Sequence, residues 1–178
     1  PYEVFMHFNQ ATKRLVEGDV VNAFLYYDGK HRLCATMEDP LITTSKHGFV
    51  KCVAVKENVG CFMNIGTAKD ILLSKDYLPA NPKAWPKIGD TLPCILKVKK
   101  DQLVARIVNK EDIKNKTNSL KENDEVSATV CRLASEGIGL YTDNYEYIFV
   151  HKSMTRKKYH LGENVSVKVI NINKNNEA

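Results

Sequence analysis

One pattern occurs three times along the chain, and a chain built from copies of one unit has few folds open to it. Val4-Phe5-Met6-His7 is followed, eleven positions after the histidine, by Gly18-Asp19 and an apolar-rich run over residues 20–27. Ile148-Phe149-Val150-His151 is followed, again eleven positions on, by Gly162-Glu163 and Val165-Ser166-Val167-Lys168-Val169. The middle copy, Ile71-Leu72-Leu73-Ser74, reaches Gly89-Asp90 after fifteen positions. The extra length carries Pro79, Pro82 and Pro86, and the run continues over residues 92–99. Serine stands there in the histidine's place.

Each copy has the period of strands. Val165, Val167 and Val169 alternate with Ser166 and Lys168, and Ile95, Lys97 and Lys99 alternate with Leu96 and Val98, the period-2 signature of half-buried strands. Helical periodicity is nearly absent. The middle copy adds strands at residues 47–55 and 59–65, joined by the turn-like Lys56-Glu57-Asn58, and at 103–108 after a Lys100-Asp101 turn. Five strands in about sixty residues match an OB-type barrel. The third copy offers strands at 125–133, 137–142, 147–150 and 164–171, then a polar tail over 173–178, and lacks a fifth. The first copy begins at its third strand and reaches its fifth in Arg32-Leu33-Cys34-Ala35-Thr36. With Pro1 rather than Met at the start, the sequence reads as a trimmed or processed piece. Linkers fall at residues 38–46 and 111–123. The expected division is therefore the end of one barrel over 1–41, a complete barrel over 42–110, and a barrel lacking its last strand over 118–178.

Composition excludes several classes. With 43% hydrophobic and 26% charged residues among 178, the chain can bury a core and is neither disordered nor collagenous. No apolar stretch approaches a membrane span and no signal pattern opens the chain, so a soluble, cytoplasmic protein is expected. Five dispersed cysteines without a C-x-x-C pair read as buried thiols in a reducing compartment. The five histidines do not complete a zinc site. No metal or other cofactor is expected. G-x-S-x-G, Walker and H-E-x-x-H motifs are absent from the sequence, so no enzymatic activity is expected.

The order Gly60-Cys61-Phe62-Met63, a third strand ending in Phe149-Val150-His151 or its equivalent, then Gly-Asp/Glu and a Val-rich strand resembles the S1 RNA-binding domain, a five-stranded OB barrel. Ala84-Trp85-Pro86 before Gly89-Asp90, and Ile148-Phe149-Val150-His151 before Leu161-Gly162-Glu163, resemble more closely the bacterial conserved virulence factor B family of tandem S1 proteins. The resemblance runs from Tyr2 to about Asn173. It implies an all-β chain of tandem S1/OB-fold barrels, the first and last incomplete here. It also implies RNA binding, a role in regulating gene expression, including virulence-factor expression in related bacteria, and a winged-helix domain after the barrels in a parent protein.

The same resemblance places the RNA face on strands two, three and five. Phe62 takes the strand-two stacking position, Phe149 and His151 the strand-three positions, and Arg106 and Arg32 strand-five positions. Phe149 and His151 are two apart and share a face, and Phe5 and His7 repeat that relation. Gly139 stands where the middle copy has Phe62, and Ser74 where the others have histidine, so no copy carries the full set. Either the copies share one RNA path, or some have become structural. Phe62 reads as a stacking platform or as a core or barrel-rim residue, and the two histidines as functional or merely hydrogen-bonded. Trp85 reads as a plug in the barrel end or as a contact aromatic. Tyr141, Tyr145 and Tyr147 surround a turn at Asp143-Asn144 and read as ordinary strand residues.

Charge selects among the copies. Residues 1–43 carry net −2, residues 44–110 net +7 and residues 111–178 net 0, within a total of +5. Lys51, Lys56, Lys97, Lys99 and Arg106 of the middle copy are thus candidate phosphate contacts, and Arg156, Lys157 and Lys158 form a second basic cluster. Two functions fit: a non-catalytic protein holding single-stranded RNA by stacking and phosphate contacts, or a protein-interaction adaptor built from degenerate barrels.

Overall fold

The acidic residue that follows the repeat's glycine explains why the pair recurs. Gly18, Gly89 and Gly162 have φ of 94°, 99° and 83°, left-handed values that glycine adopts without steric cost. In each turn the next carboxylate accepts the backbone N–H three residues before it: Asp19 from Val16 at 3.0 Å, Asp90 from Lys87 at 2.8 Å and Glu163 from His160 at 3.3 Å. Asn123-Asp124 makes the same turn, with φ of 74° at Asn123 and Asp124 accepting from Lys121 at 2.7 Å. At Asp90, Asp124 and Glu163 the turn leads directly into the strand that follows.

The computed structural model describes residues 3–28, 30–100, 102–113 and 118–173. Tyr2, Asp101 of the expected turn, residues 114–117 of the linker and 174–178 of the polar tail lie outside the described residues. The described chain is all-β apart from single 3-10 turns. Its strands are β1 (Phe24–Tyr27), β2 (Leu33–Thr36), β3 (Gly48–Lys56), β4 (Gly60–Asn64), β5 (Ile71–Ser74), β6 (Thr91–Lys99), β7 (Gln102–Ile107), β8 (Glu125–Leu133), β9 (Gly137–Tyr141), β10 (Tyr147–His151) and β11 (Asn164–Lys168).

The middle unit closes as a barrel in the order β3-β4-β5-β7-β6, with one parallel pairing, Leu73 opposite Ala105. Alternate residues point inward, so Val50, Cys52, Cys61, Met63, Leu73, Leu92, Leu96 and Ala105 form its core. Burying each large apolar side chain contributes roughly 1.5–3 kcal/mol. Trp85 is buried among them, and its indole N–H donates to the Pro79 carbonyl at 2.6 Å. The third unit is a sheet in the order β10-β9-β8-β11 around Val130, Ile138, Leu140 and Ile148. Both units carry a bulge at one repeat position, between Cys52 and Ala54 and between Val130 and Arg132, which bends the first strand of each.

The first unit is smaller than its pattern suggests. Residues 4–7 form a single parallel bridge, Phe5 to Cys34, the counterpart of the β5–β7 pairing. The apolar run over 20–27 is strand only from Phe24, and Val20 is 94% exposed. Among the described residues this segment meets no further ladder partner, and a strand without a partner does not form. Likewise β11 stops at Lys168, short of the expected residue 171.

The units dock tightly. Cys131, Tyr141 and Leu161 of the third unit belong to the middle barrel's apolar cluster. The Leu161 N–H donates to the Ala84 carbonyl at 2.9 Å, and Tyr145 rests its ring 4.4 Å from that of His47 and 5.2 Å from that of Phe49. His160 joins two repeat turns, meeting Asp90 at 2.9 Å and Glu163 at 3.1 Å. All five cysteines are free and buried, and burial pushes the Cys94 and Cys131 thiols far above their usual range.

Candidate nucleic-acid interface

Register fixes which side chains share the outer wall. On the middle barrel, Lys51 lies opposite Asn64, Ala54 opposite Phe62 and Lys56 opposite Gly60, and β5 sets Leu72 beside Phe62 and Ser74 beside Gly60. Phe62 is half-buried, with the Lys56 ammonium 5.6 Å from its ring. It lines a cleft of about 160 Å³ whose far wall is Tyr26, Tyr27 and Asp28 of the first unit. Lys69 bridges that cleft, donating to the Tyr27 carbonyl and lying 5.6 Å over the Tyr26 ring.

The corresponding wall of the third unit is aromatic. Tyr141 lies opposite Tyr147, Gly139 opposite Phe149 and Gly137 opposite His151, and β8 places Arg132 beside Gly139. A Cβ at Gly139 would stand 2.6 Å from the Tyr147 hydroxyl, and one at Gly137 would stand 2.9 Å from Phe149 Cζ. Phe149 and Tyr147 therefore lie over a floor of bare backbone on β9. Phe149 remains 39% exposed. The Arg132 side chain is 65% exposed, 3.9 Å from Glu136. The aromatic missing at position 139 is thus replaced from the neighbouring strand, and glycine is what makes room for it.

The recurring histidine has a local task. Ser74 and His151 each end a strand, His7 follows the Phe5 bridge, and all three cap the 3-10 turn that comes next, accepting the N–H of Asp76 at 3.3 Å, of Ser153 at 3.3 Å and of Asn9 at 3.4 Å. Serine and histidine both serve in this role. Both histidines are also exposed, and His7 stacks 4.5 Å from Phe8.

The basic candidates divide by partner. Lys51 and Lys97 are exposed on the middle barrel, and Arg156 and Lys158 on the third unit. Lys99 pairs with Asp76 at 2.9 Å and lies 5.4 Å over Tyr77. Lys157 pairs with Glu163 and lies 5.1 Å over Tyr159. Burial raises the Glu163 pKa, but its hydrogen bonds with Lys157 and His160 outweigh that and hold it low. Arg106 is 15% exposed, bonded to Asp112 at 2.7 Å.

Arg32 pairs with Asp28 at 2.7 Å and lies 5.8 Å over Phe5. The backbone N–H of Arg32, its guanidinium and the N–H of Lys30 lower the Asp28 pKa to about 2. Asp28 is expected to titrate there by carboxyl NMR, and Arg32→Ala to raise its midpoint toward 3.8, the ordinary value. Because the folded pKa is depressed, the turn's stabilisation is present above pH 3.8 and lost as pH falls through about 2. A wild-type midpoint at the ordinary value would remove this pairing.

The structure thus brings Phe149 and His151 onto one face and sets Phe62 in a separate cleft against the first unit. Arg132 carries no signal in the sequence pattern, and Tyr141 and Tyr147 read there as ordinary strand residues. Tyr147 precedes Phe149 by two residues, so strand parity alone could have found it.

Residues 47–106 match the model of the CvfB first S1-like domain, and residues 110–177 that of the virulence regulatory factor CvfB second domain. The chain belongs to the conserved virulence factor B family. Residues 2–38 match the S1 domain model. Among its relatives, the Bacillus subtilis (strain 168) protein YitL is 32% identical over 95% of this chain and 58% of its own length. The conserved virulence factor B proteins of Staphylococcus saprophyticus and Staphylococcus aureus (strain USA300) are 30% and 26% identical, each over 90% of this chain. The chain spans little more than half of these relatives, 55% of each staphylococcal protein. A solved structure from Streptococcus pneumoniae TIGR4, described as a multidomain protein with nucleic acid binding domains, matches with a TM-score of 0.78 at 28% identity. That match covers 96% of this chain and 61% of the other. Among the described residues no helix is long and apolar enough to cross a membrane, and no cluster of His, Cys, Asp or Glu is placed to hold a metal ion.

Proposed function

We propose that this chain of the conserved virulence factor B family binds single-stranded RNA without catalysing its turnover, in the service of gene regulation. The observation that carries the reading is the row Arg132, Gly139, Phe149 on the third unit, an exposed aromatic laid over bare backbone with an exposed cation in the same row one strand beyond Gly139. Bases stack on such faces in a sequence-tolerant way, and cations follow the phosphates. Arg156, Lys158 and Lys51 extend the positive surface. The adaptor reading draws its support from the Phe62 cleft, where the first unit already lies against a barrel face.

Fluorescence anisotropy with a labelled single-stranded oligonucleotide separates the two. If roughly four phosphates are neutralised, affinity is expected to drop about 50-fold between about 50 and 200 mM salt. Phe149→Ala, folded by circular dichroism, is expected to weaken binding about tenfold, one stacked base being worth roughly 1–3 kcal/mol. Absence of saturable binding at low salt would overturn the RNA reading and leave the adaptor.

A further inference from the structure

Between the middle barrel and the third unit runs a groove of about 580 Å³. Its middle-barrel lip carries Tyr77 and Lys110, and its third-unit wall carries Arg132, Tyr141 and Tyr147. Among the described residues that line it, Glu111 is the one acidic residue. The Lys110 ammonium lies 4.1 Å from the centre of the Tyr147 ring, and Lys99 lies over Tyr77. Three phenol rings and two cations thus converge on a concavity whose volume falls in the range of small-molecule sites, roughly 300–1,000 Å³.

Two features select the occupant. The lining couples aromatic faces with positive charge, the pairing that recognises a base together with its phosphate. The groove is also continuous with the third unit's outer wall: Arg132 stands in the row with Phe149 and lines the groove, and Tyr147 lies beside Phe149 on the same face of β10.

We propose that this groove is a nucleotide site shared by two units, taking an unpaired base and its phosphate so that an RNA strand lying on Phe149 continues across the junction to Tyr77 and Lys110. The inference rests on the RNA reading above and deepens it. The binding unit is then the docked pair of units rather than one barrel.

The test uses the full chain and a labelled single-stranded oligouridylate. Tyr77→Ala and Lys110→Gln alter only the middle-barrel lip and lie outside the Phe149 row. Each is expected to lower affinity about five- to tenfold, as loss of one stacking or phosphate contact does. In the unaltered protein, oligonucleotides carrying 4-thiouridine are expected to photo-crosslink to the peptide containing Tyr77, which lies away from the Phe149 row and so reads the site even if a variant fails to fold. The groove is excluded if the wild type binds and Phe149→Ala weakens it while both lip variants bind as the wild type does and the Tyr77 peptide is not labelled. A wild type that does not bind at low salt overturns the RNA reading, and the groove with it.

Discussion

Gly137→Ala is expected to pry the outer hairpin of the third unit apart and to lower its stability by about 3 kcal/mol, at the upper end for overpacking. A Cβ there would stand 2.2 Å from the Val150 carbonyl oxygen, 2.9 Å from Phe149 Cζ and 3.0 Å from the His151 Cα. Two of these three neighbours are backbone, so no rotamer change relieves the clash. β9 is held between β8 and β10 and cannot retreat without breaking a ladder. The middle barrel has the same constraint at the equivalent position, where a Cβ on Gly60 would stand 2.2 Å from the Leu73 oxygen. Thermal melting should show a fall of roughly 10 °C or more for a unit of this size. RNA affinity should fall as well, because Phe149 lies over Gly137. A melt indistinguishable from the wild type would mean that β9 and β10 do not approach this closely.

The repeat was legible because its punctuation is local. A left-handed glycine and the carboxylate that closes its turn lie within four residues of chain, and sequence shows both. Strand parity likewise put Phe149 and His151 on one face. What stayed hidden depended on neighbours from other strands. Gly139 read as a lost aromatic because one strand was considered alone, whereas the ring that fills its place comes from Tyr147. Serine in the histidine's place at position 74 read as a gap in that copy's binding set, yet both residues cap the next turn. The tyrosines around Asp143-Asn144 read as ordinary strand residues, yet Tyr145 packs on His47 and Phe49 and Tyr141 enters the middle barrel's apolar cluster. The +7 of the middle unit could be counted from sequence, but not the pairing of Lys99 with Asp76 or of Arg106 with Asp112, which join residues on different elements.

Arg106→Ala is expected to cost about 3 kcal/mol, because breaking a mostly buried ion pair strands the remaining charge. Both side chains are 15% exposed, with Nη2 of Arg106 2.7 Å from Asp112 Oδ1. Arg106 Nη1 also donates to the Ile107 carbonyl at 2.9 Å, and Asp112 Oδ2 accepts the Asn109 N–H at 2.8 Å. The pair thereby ties β7 to the 3-10 turn at Lys110–Ile113, which carries the groove's lip. Burial raises the Asp112 pKa, but hydrogen bonds from Arg106 and Asn109 outweigh it, and the carboxyl ends below its ordinary 3.8. A depressed folded pKa gives stability that is complete above that ordinary value and lost as pH falls through the folded one. The wild type should therefore lose the pair in acid, and the deficit of Arg106→Ala, measured by urea unfolding, should shrink between about pH 7 and about pH 3. Arg106→Met with Asp112→Leu removes both charges and keeps most of the volume, and should recover much of the loss. A deficit that persists unchanged in acid would assign Arg106 to alkyl packing. Binding of RNA by the folded double variant at wild-type strength would place Arg106 under the surface that holds the strand, while a loss on the scale of Phe149→Ala would place it on that surface.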